Sequence, residues 1–210
     1  MVAAHYDLAN IAEAFLTHGA DPDITIHGHG GKVNALAVAA SHGHKEVFSV
    51  LVEHGADRNE AFHAAVSKGY EDIVANLLDK GVNIDDQEKG EDNRTALMTA
   101  ALDCHKDVFT LLIEKGANMN LHDKYGNTAL IYSLFHSGLI SCRPCLKTYS
   151  GSMQTENSCF MTLLRLGADV GIKNFEGKTI LLQIRNRAES WDKHYQALVD
   201  YGANVNDKVR

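Results

Sequence analysis

Along this chain the apolar residues fall into short clusters, separated by turns rich in Gly, Asp and Asn, and two kinds of cluster alternate. Leu36, Val38, Ala39 and Ala40 form a cluster of small and medium side chains, while Val47, Val50, Leu51 and Val52 form a bulkier one with positions three to five apart. Both spacings predict short helices. Gly43 interrupts the chain between them, and Asn34 stands where a helix N-cap is wanted. Gly55 follows the second cluster, where a left-handed residue is expected at the helix C-terminus and only glycine adopts it cheaply. A helix pair this small cannot bury its own apolar face, so neighbouring pairs have to cover it.

The pattern recurs. Gly19-Ala20-Asp21, Gly55-Ala56-Asp57, Gly116-Ala117-Asn118, Gly167-Ala168-Asp169 and Gly202-Ala203-Asn204 are copies of one triplet, and Gly81-Val82-Asn83 is a degraded sixth. An upstream marker accompanies most of them: Asn34-Ala35-Leu36, Ala61-Phe62-His63, Thr95-Ala96-Leu97, Thr128-Ala129-Leu130 and Thr179-Ile180-Leu181. Leu36, Phe62 and Leu97 each precede the next triplet glycine by 19 residues; Leu181 does so by 21 and Leu130 by 37. Self-similarity at this period signifies a stack of supersecondary units.

The segments NALAVAASHGHKEVFSVLVEHGAD (34–57) and TALMTAALDCHKDVFTLLIEKGAN (95–118) resemble the ankyrin repeat, and the resemblance covers essentially the whole chain. It implies an all-α solenoid of stacked helix-turn-helix units with short β-hairpin fingers. The phase divides residues 1–210 into a partial repeat (1–24), then 25–57, 58–83, 84–118, 119–169 and 170–204, with 205–210 as a lead-in or tail. The family's proline is missing from every marker, and its histidine survives only as His63. The third unit lacks the residues for a finger, which predicts a notch in the finger row. The fifth carries an insertion at about 139–158, rich in Ser, Thr and Gly, which reads as a long loop beside the main groove. The opening unit begins inside its first helix, and neither end shows a polar capping repeat. Two readings stay open there: a fragment of a longer protein, or atypical caps.

Charge narrows the partners. With 20 Lys+Arg against 27 Asp+Glu, the formal net charge of −7 disfavours a nucleic-acid backbone and an anionic membrane surface. No apolar run reaches the length of a membrane span, so membrane insertion is not expected. The first residues lack the basic start of a signal peptide. Four cysteines in 210 residues make no disulfide framework, which points to an intracellular and cytoplasmic protein.

Reactive chemistry has little support. Cys142-Arg-Pro-Cys145 is half of a zinc-type spacing, with Cys159 a third candidate, but no second pair completes it. Free thiols are the preferred reading, and neither metal nor cofactor is expected. His27, His29 and His42 are a weaker transition-metal set. His44 and His105 occupy the family's Gly-His position, where the imidazole is expected to bond locally; His18 and His54 sit at helix ends where a cation suits the dipole. Asn59, Asn120 and Asn206 follow the triplet frame and resemble substrates of an asparaginyl hydroxylase, although a role in bonding the turn backbone is the preferred reading. No P-loop, G-x-S-x-G or H-E-x-x-H is present, so no enzyme is expected.

The resemblance implies instead a scaffold that binds another protein or a peptide on a concave face of finger tips and first helices, as a monomer. By repeat phase that face offers Lys124, Tyr125, Asn127, Phe135 and His136 in the fifth unit. The sixth offers Phe175, Glu176, Lys178, Asn186 and Arg187. Ser41 and His42, Ser67 and Lys68, and Leu102 and Asp103 come from units two to four. Tyr125, Phe135 and Phe175 are the expected anchors, since interface hot spots favour aromatics. The fourth finger, 85–94, is net acidic and suits a basic or mixed-charge peptide. The alternative is a targeting or regulatory segment of a larger enzyme or effector.

Overall fold

The computed structural model describes residues 1–28, 31–89, 92–135, 158–185 and 192–206. Among them are twelve helices, alternating between first and second helices of successive hairpins. The first helices are α1 (Val2–His5), α3 (Ala35–His42), α5 (Arg58–Lys68), α7 (Ala96–Asp103), α9 (Ala129–Phe135) and α11 (Ile180–Arg185). The second helices are α2 (Ala9–Thr17), α4 (Lys45–Glu53), α6 (Glu71–Asp79), α8 (Lys106–Glu114), α10 (Cys159–Arg165) and α12 (Asp192–Asp200). One regular hairpin, β1 (Ile26–Gly28) with β2 (Gly31–Val33), forms an antiparallel finger in which Ile26 faces Val33. The fourth and sixth fingers are reduced to single bridges, Gln87 to Thr95 and Lys173 to Thr179.

The first helices stack in a row, α1 on α3, α3 on α5, α5 on α7 and α7 on α9, while α2 packs on α4 and α6 on α8. Their alanines let backbones come close: Ala39, Ala40, Ala61, Ala65, Ala96, Ala100 and Ala101 are all buried. Leu36, Phe62, Leu97, Leu130 and Leu181, the marker residues, are buried in every one of these units and join one continuous core. The caps follow the sequence. Asn34 Oδ1 accepts the Ala37 N–H at 2.8 Å, and Thr95 Oγ1 accepts that of Met98 at 3.4 Å. Asn34 also donates to Glu60 Oε2 at 2.8 Å, tying α3 to α5. In the third unit Asp57 caps α5 directly, so the chain passes from α4 to α5 through residues 54–57 without a finger.

The Asp or Asn of each triplet has a physical role. Its side chain holds the turn: Asp21 accepts from the Asp23 N–H, Asn83 from that of Asp85, and Asn118 from that of Asn120. The residue two positions on then reaches the next triplet. Asp23 Oδ1 accepts the Asp57 N–H at 2.7 Å, Asp85 Oδ1 the Asn118 N–H at 2.9 Å, and Asn120 Oδ1 the Asp169 N–H at 2.9 Å. Asn120 is thus engaged in the turn backbone. Asn59, in the same phase, is absorbed into α5.

The Gly-His position corrects an expectation. His105 does not bond locally: its Nε2 donates to the Ser67 carbonyl in the preceding unit at 3.0 Å. Tyr70, in the same phase, donates its hydroxyl to the Ser41 carbonyl at 3.1 Å. These rings lie over the glycine ending the previous first helix, so the position links units. His18 and His54 cap their own helices by Nδ1 contacts to the Ala14 and Val50 carbonyls, at 2.7 and 2.8 Å. Hydrogen bonding accounts for their placement.

Gly69 shows what this costs in freedom. Its φ is +73°, and a Cβ there would sit 2.6 Å from His105 Nδ1, whereas Gly55 (φ +90°) has open space around it. Both Gly→Ala changes bear the left-handed penalty of about 1–2 kcal/mol. Gly69→Ala additionally displaces the His105 ring and is expected to cost about 1 kcal/mol more than Gly55→Ala in urea unfolding.

A second test concerns acid. His63 is buried with no hydrogen bond to either ring nitrogen among the described residues, and His194 is buried too. Burial lowers the pKa of both, although Glu88 and Asp86 partly oppose this at His63. The folded chain therefore binds these protons less readily than the unfolded chain, whose histidines titrate near 6.5. Stability is full above that value and falls as pH drops through it toward the lowered folded pKa. Urea midpoints at about pH 7.5 and about pH 5.5 are expected to show this loss, and His63→Leu to show a smaller one.

Candidate partner-binding surface

The fifth and sixth fingers are built alike. In Asp123-Lys124-Tyr125-Gly126-Asn127, Asp123 Oδ1 accepts the N–H groups of Tyr125 and Asn127, each at 2.8 Å. In Asn174-Phe175-Glu176-Gly177-Lys178, Asn174 Oδ1 accepts those of Glu176 and Lys178 at 3.1 and 2.9 Å. Side chains that replace a backbone acceptor make such turns compact. The tips are then joined: the Phe175 N–H donates to the Tyr125 carbonyl at 2.9 Å. Gly126 permits this approach, since a Cβ there would lie 2.6 Å from the Phe175 nitrogen. The Lys124 N–H donates to the Asp92 carbonyl at 3.1 Å, which joins the fourth finger to the fifth.

Asp123 reaches inward as well. It is buried, and its Oδ2 accepts the Tyr132 hydroxyl of α9 at 2.6 Å. Burial first, and the Asp123 hydrogen bond second, push the Tyr132 phenol far above its ordinary pKa, so it stays a donor. The Arg94 guanidinium lies 6.0 Å from the Tyr132 ring centroid. The finger is therefore pinned to its helix by a charge-assisted bond out of water, which is stronger than a neutral one.

On this base the aromatic tips stand outward. Tyr125 is 50% exposed and Phe175 67%. Lys124 Nζ lies 4.8 Å from the Tyr125 centroid and 3.7 Å from Asp92 Oδ1. His122 meets Phe175 edge-on at 5.4 Å. A groove of about 410 Å³ runs between the units, lined by Lys124, Tyr125, Asn127, Asn174, Phe175, Glu176, Lys178, Leu182 and Gln183. Lys178 and Glu176 pair at 2.7 Å on its rim. Six residues picked from repeat phase thus share one groove.

The remaining sequence candidates divide. Ser41 and His42 end α3, Ser67 and Lys68 end α5, and Leu102 and Asp103 end α7, apart from this groove. The Ser41 and Ser67 hydroxyls bond back to the Val38 and Ala64 carbonyls at 2.9 Å. Phe135 ends α9, and its side chain lies outside the described residues, as do His136, Asn186, Arg187, Cys142 and Cys145 and nearly all of the insertion. Cys159 begins α10 as a buried core residue. Among the described residues no three His, Cys, Asp or Glu side chains gather as a metal site, and no helix is long and apolar enough to cross a membrane. Sequence reasoning missed Asp123, Asn174 and Tyr132. The shared pattern of Asp or Asn three residues before a finger glycine was the available signal.

A family profile described as ankyrin repeats (3 copies) matches residues 1–88 and 62–147, and the chain belongs to that family. The fold also matches the crystal structure of the human ASB11 ankyrin repeat domain, with a TM-score of 0.70 and 24% identity over 96% of this chain and 81% of that one. No curated protein sequence matches the chain at a significant level. Ankyrin repeats generally mediate protein–protein interaction and are typically non-catalytic.

Replacing Asp123 tests the pinning of the fifth finger. Asp123→Ala leaves the Tyr132 hydroxyl and two finger N–H groups without their acceptor, and is expected to cost about 2–4 kcal/mol in urea unfolding. Tyr132→Phe removes one donor and is expected to cost about half as much.

Proposed function

We propose that this chain is a non-catalytic scaffold that holds a partner protein or peptide on the concave face of the solenoid, centred on the fingers of the fifth and sixth repeats. The observation that carries this reading is the pair Tyr125 and Phe175, large apolar rings left exposed on tips whose backbones are fixed to one another. Fixed rings lose little freedom on binding, so more of the contact energy appears as affinity. Asn127, Lys124, Glu176 and Lys178 supply the polar rim. Phe135, His136, Asn186 and Arg187 extend the surface by repeat phase, and Ser41, His42, Ser67, Lys68, Leu102 and Asp103 continue it along the earlier first helices. The acidic fourth finger favours basic or mixed charge in the segment of the partner that passes it. Catalysis, a cofactor and a nucleic-acid partner form no part of the reading, which is of a monomer acting inside the cell, in the cytoplasm.

Affinity capture from lysate, with quantitative mass spectrometry of what is retained, tests it. Tyr125→Ala and Phe175→Ala are each expected to weaken the same partner by about 30-fold, the effect of losing a hot spot near 2 kcal/mol. Glu114→Ala, on the exposed side of α8, is expected to change nothing. Retention unaffected by both aromatic changes defeats the reading.

A further inference from the structure

Most of the polar side chains that line the finger groove already have their partners. Asn174 Oδ1 accepts the Glu176 and Lys178 N–H groups, Glu176 pairs with Lys178 at 2.7 Å, and Lys124 Nζ lies 3.7 Å from Asp92 Oδ1. Two amides differ. Asn127 and Gln183 line the groove and are only partly buried, yet Asn127 Oδ1 and Gln183 Nε2 are buried atoms with no hydrogen-bond partner among the described residues. One is an acceptor and the other a donor. A buried polar atom without a partner raises the free energy of the empty groove, and a ligand that pairs with it recovers that cost.

Both amides can be recruited at little expense. Asn127 Nδ2 faces Asp123 Oδ2, and a carboxylate only accepts, so the sense of this amide is set. At 3.5 Å, however, that contact is at the limit of a hydrogen bond. Turning Asn127 toward the groove breaks one marginal bond, and turning Gln183 moves a nitrogen that has none to lose. The two residues also come from neighbouring units, Asn127 from the fifth finger and Gln183 from α11 of the sixth, with the groove between them.

On the reading of this groove as the partner site, we propose that it grips an extended stretch of the partner's main chain. Asn127 Oδ1 accepts one peptide N–H, and Gln183 Nε2 donates to a peptide C=O. A trans peptide bond directs these two groups to opposite sides, so a chain laid along the groove offers one to each unit. Apolar side chains flanking the bond cover Tyr125 and Phe175, the exposed rings on the two tips. A carboxamide at the end of a single side chain supplies the same two polar groups but nothing to cover the rings. Main-chain bonds thus hold the partner and the rings select its side chains.

Random dodecapeptides displayed on phage and selected against the full chain supply the probe. The tightest peptide whose affinity falls on Tyr125→Ala is remade with each peptide bond in turn replaced by an ester, which removes the N–H without adding bulk. One ester is expected to weaken binding about 10-fold to the unaltered protein, but no more than about 2-fold to Asn127→Leu. Gln183→Leu is expected to weaken the parent peptide about 10-fold. Thermal melting checks that both variants fold, and the ester scan on the unaltered protein stands whether or not they do. A flat ester scan overturns the proposal while the Tyr125 dependence leaves the partner site in place. A loss that Asn127→Leu leaves at full size does the same, as does coupling of Asn127 to a single Asn or Gln side chain of the peptide. A library that yields no peptide sensitive to Tyr125→Ala removes the partner site and this proposal together.

Discussion

No hairpin in this chain can cover its own apolar face, and everything else in the structure answers that constraint. In α3, α5 and α7 a large marker side chain, Leu36, Phe62 or Leu97, lies among alanines and is buried where successive first helices pack closely. Closeness demands small residues, which is why the alanines recur. The core is therefore a spine running from unit to unit rather than a centre surrounded by shell. Stability in such a stack is a sum of units and the interfaces between them.

Polar bonds then set the units in register. The triplet Asp or Asn closes its own turn, and its neighbour two places on reaches the following triplet. On the opposite side of the hairpin, Tyr70 and His105 reach back to carbonyls at the ends of α3 and α5. Each bond is modest, about 1 kcal/mol net, yet all of them act at interfaces that must not slide. The third unit omits the finger and lets Asp57 cap the next helix directly, which keeps the first helices stacked while removing a tip from the row.

The same economy of parts makes a display surface. Fingers five and six are closed by Asp123 and Asn174 and joined through their backbones, so Tyr125 and Phe175 are presented on a support that is already ordered. Asp123 is the deepest member: one carboxylate holds the turn with one oxygen and the helix with the other. A tip tied to its neighbour by a backbone bond, with a large ring left exposed, is the feature that marks this region.

The repeat, its period and its caps could be read directly from spacing, because helix periodicity and glycine-only conformations leave local marks in sequence; the fold class followed from the resemblance of those repeats to the ankyrin family. Lys124, Tyr125, Asn127, Phe175, Glu176 and Lys178 could be placed on one side of the chain because the resemblance implies which positions of a repeat face that side, and phase maps them onto this sequence. What spacing could not supply was which side chains meet across units. The bond from Tyr132 to Asp123, the reach of His105 to Ser67 and the joining of two finger tips across 50 residues of sequence depend on how adjacent hairpins are set against one another. Local pattern determined the hairpin; only the stacking of hairpins, where alanine contacts bring distant donors and acceptors within hydrogen-bond range, decided its contacts.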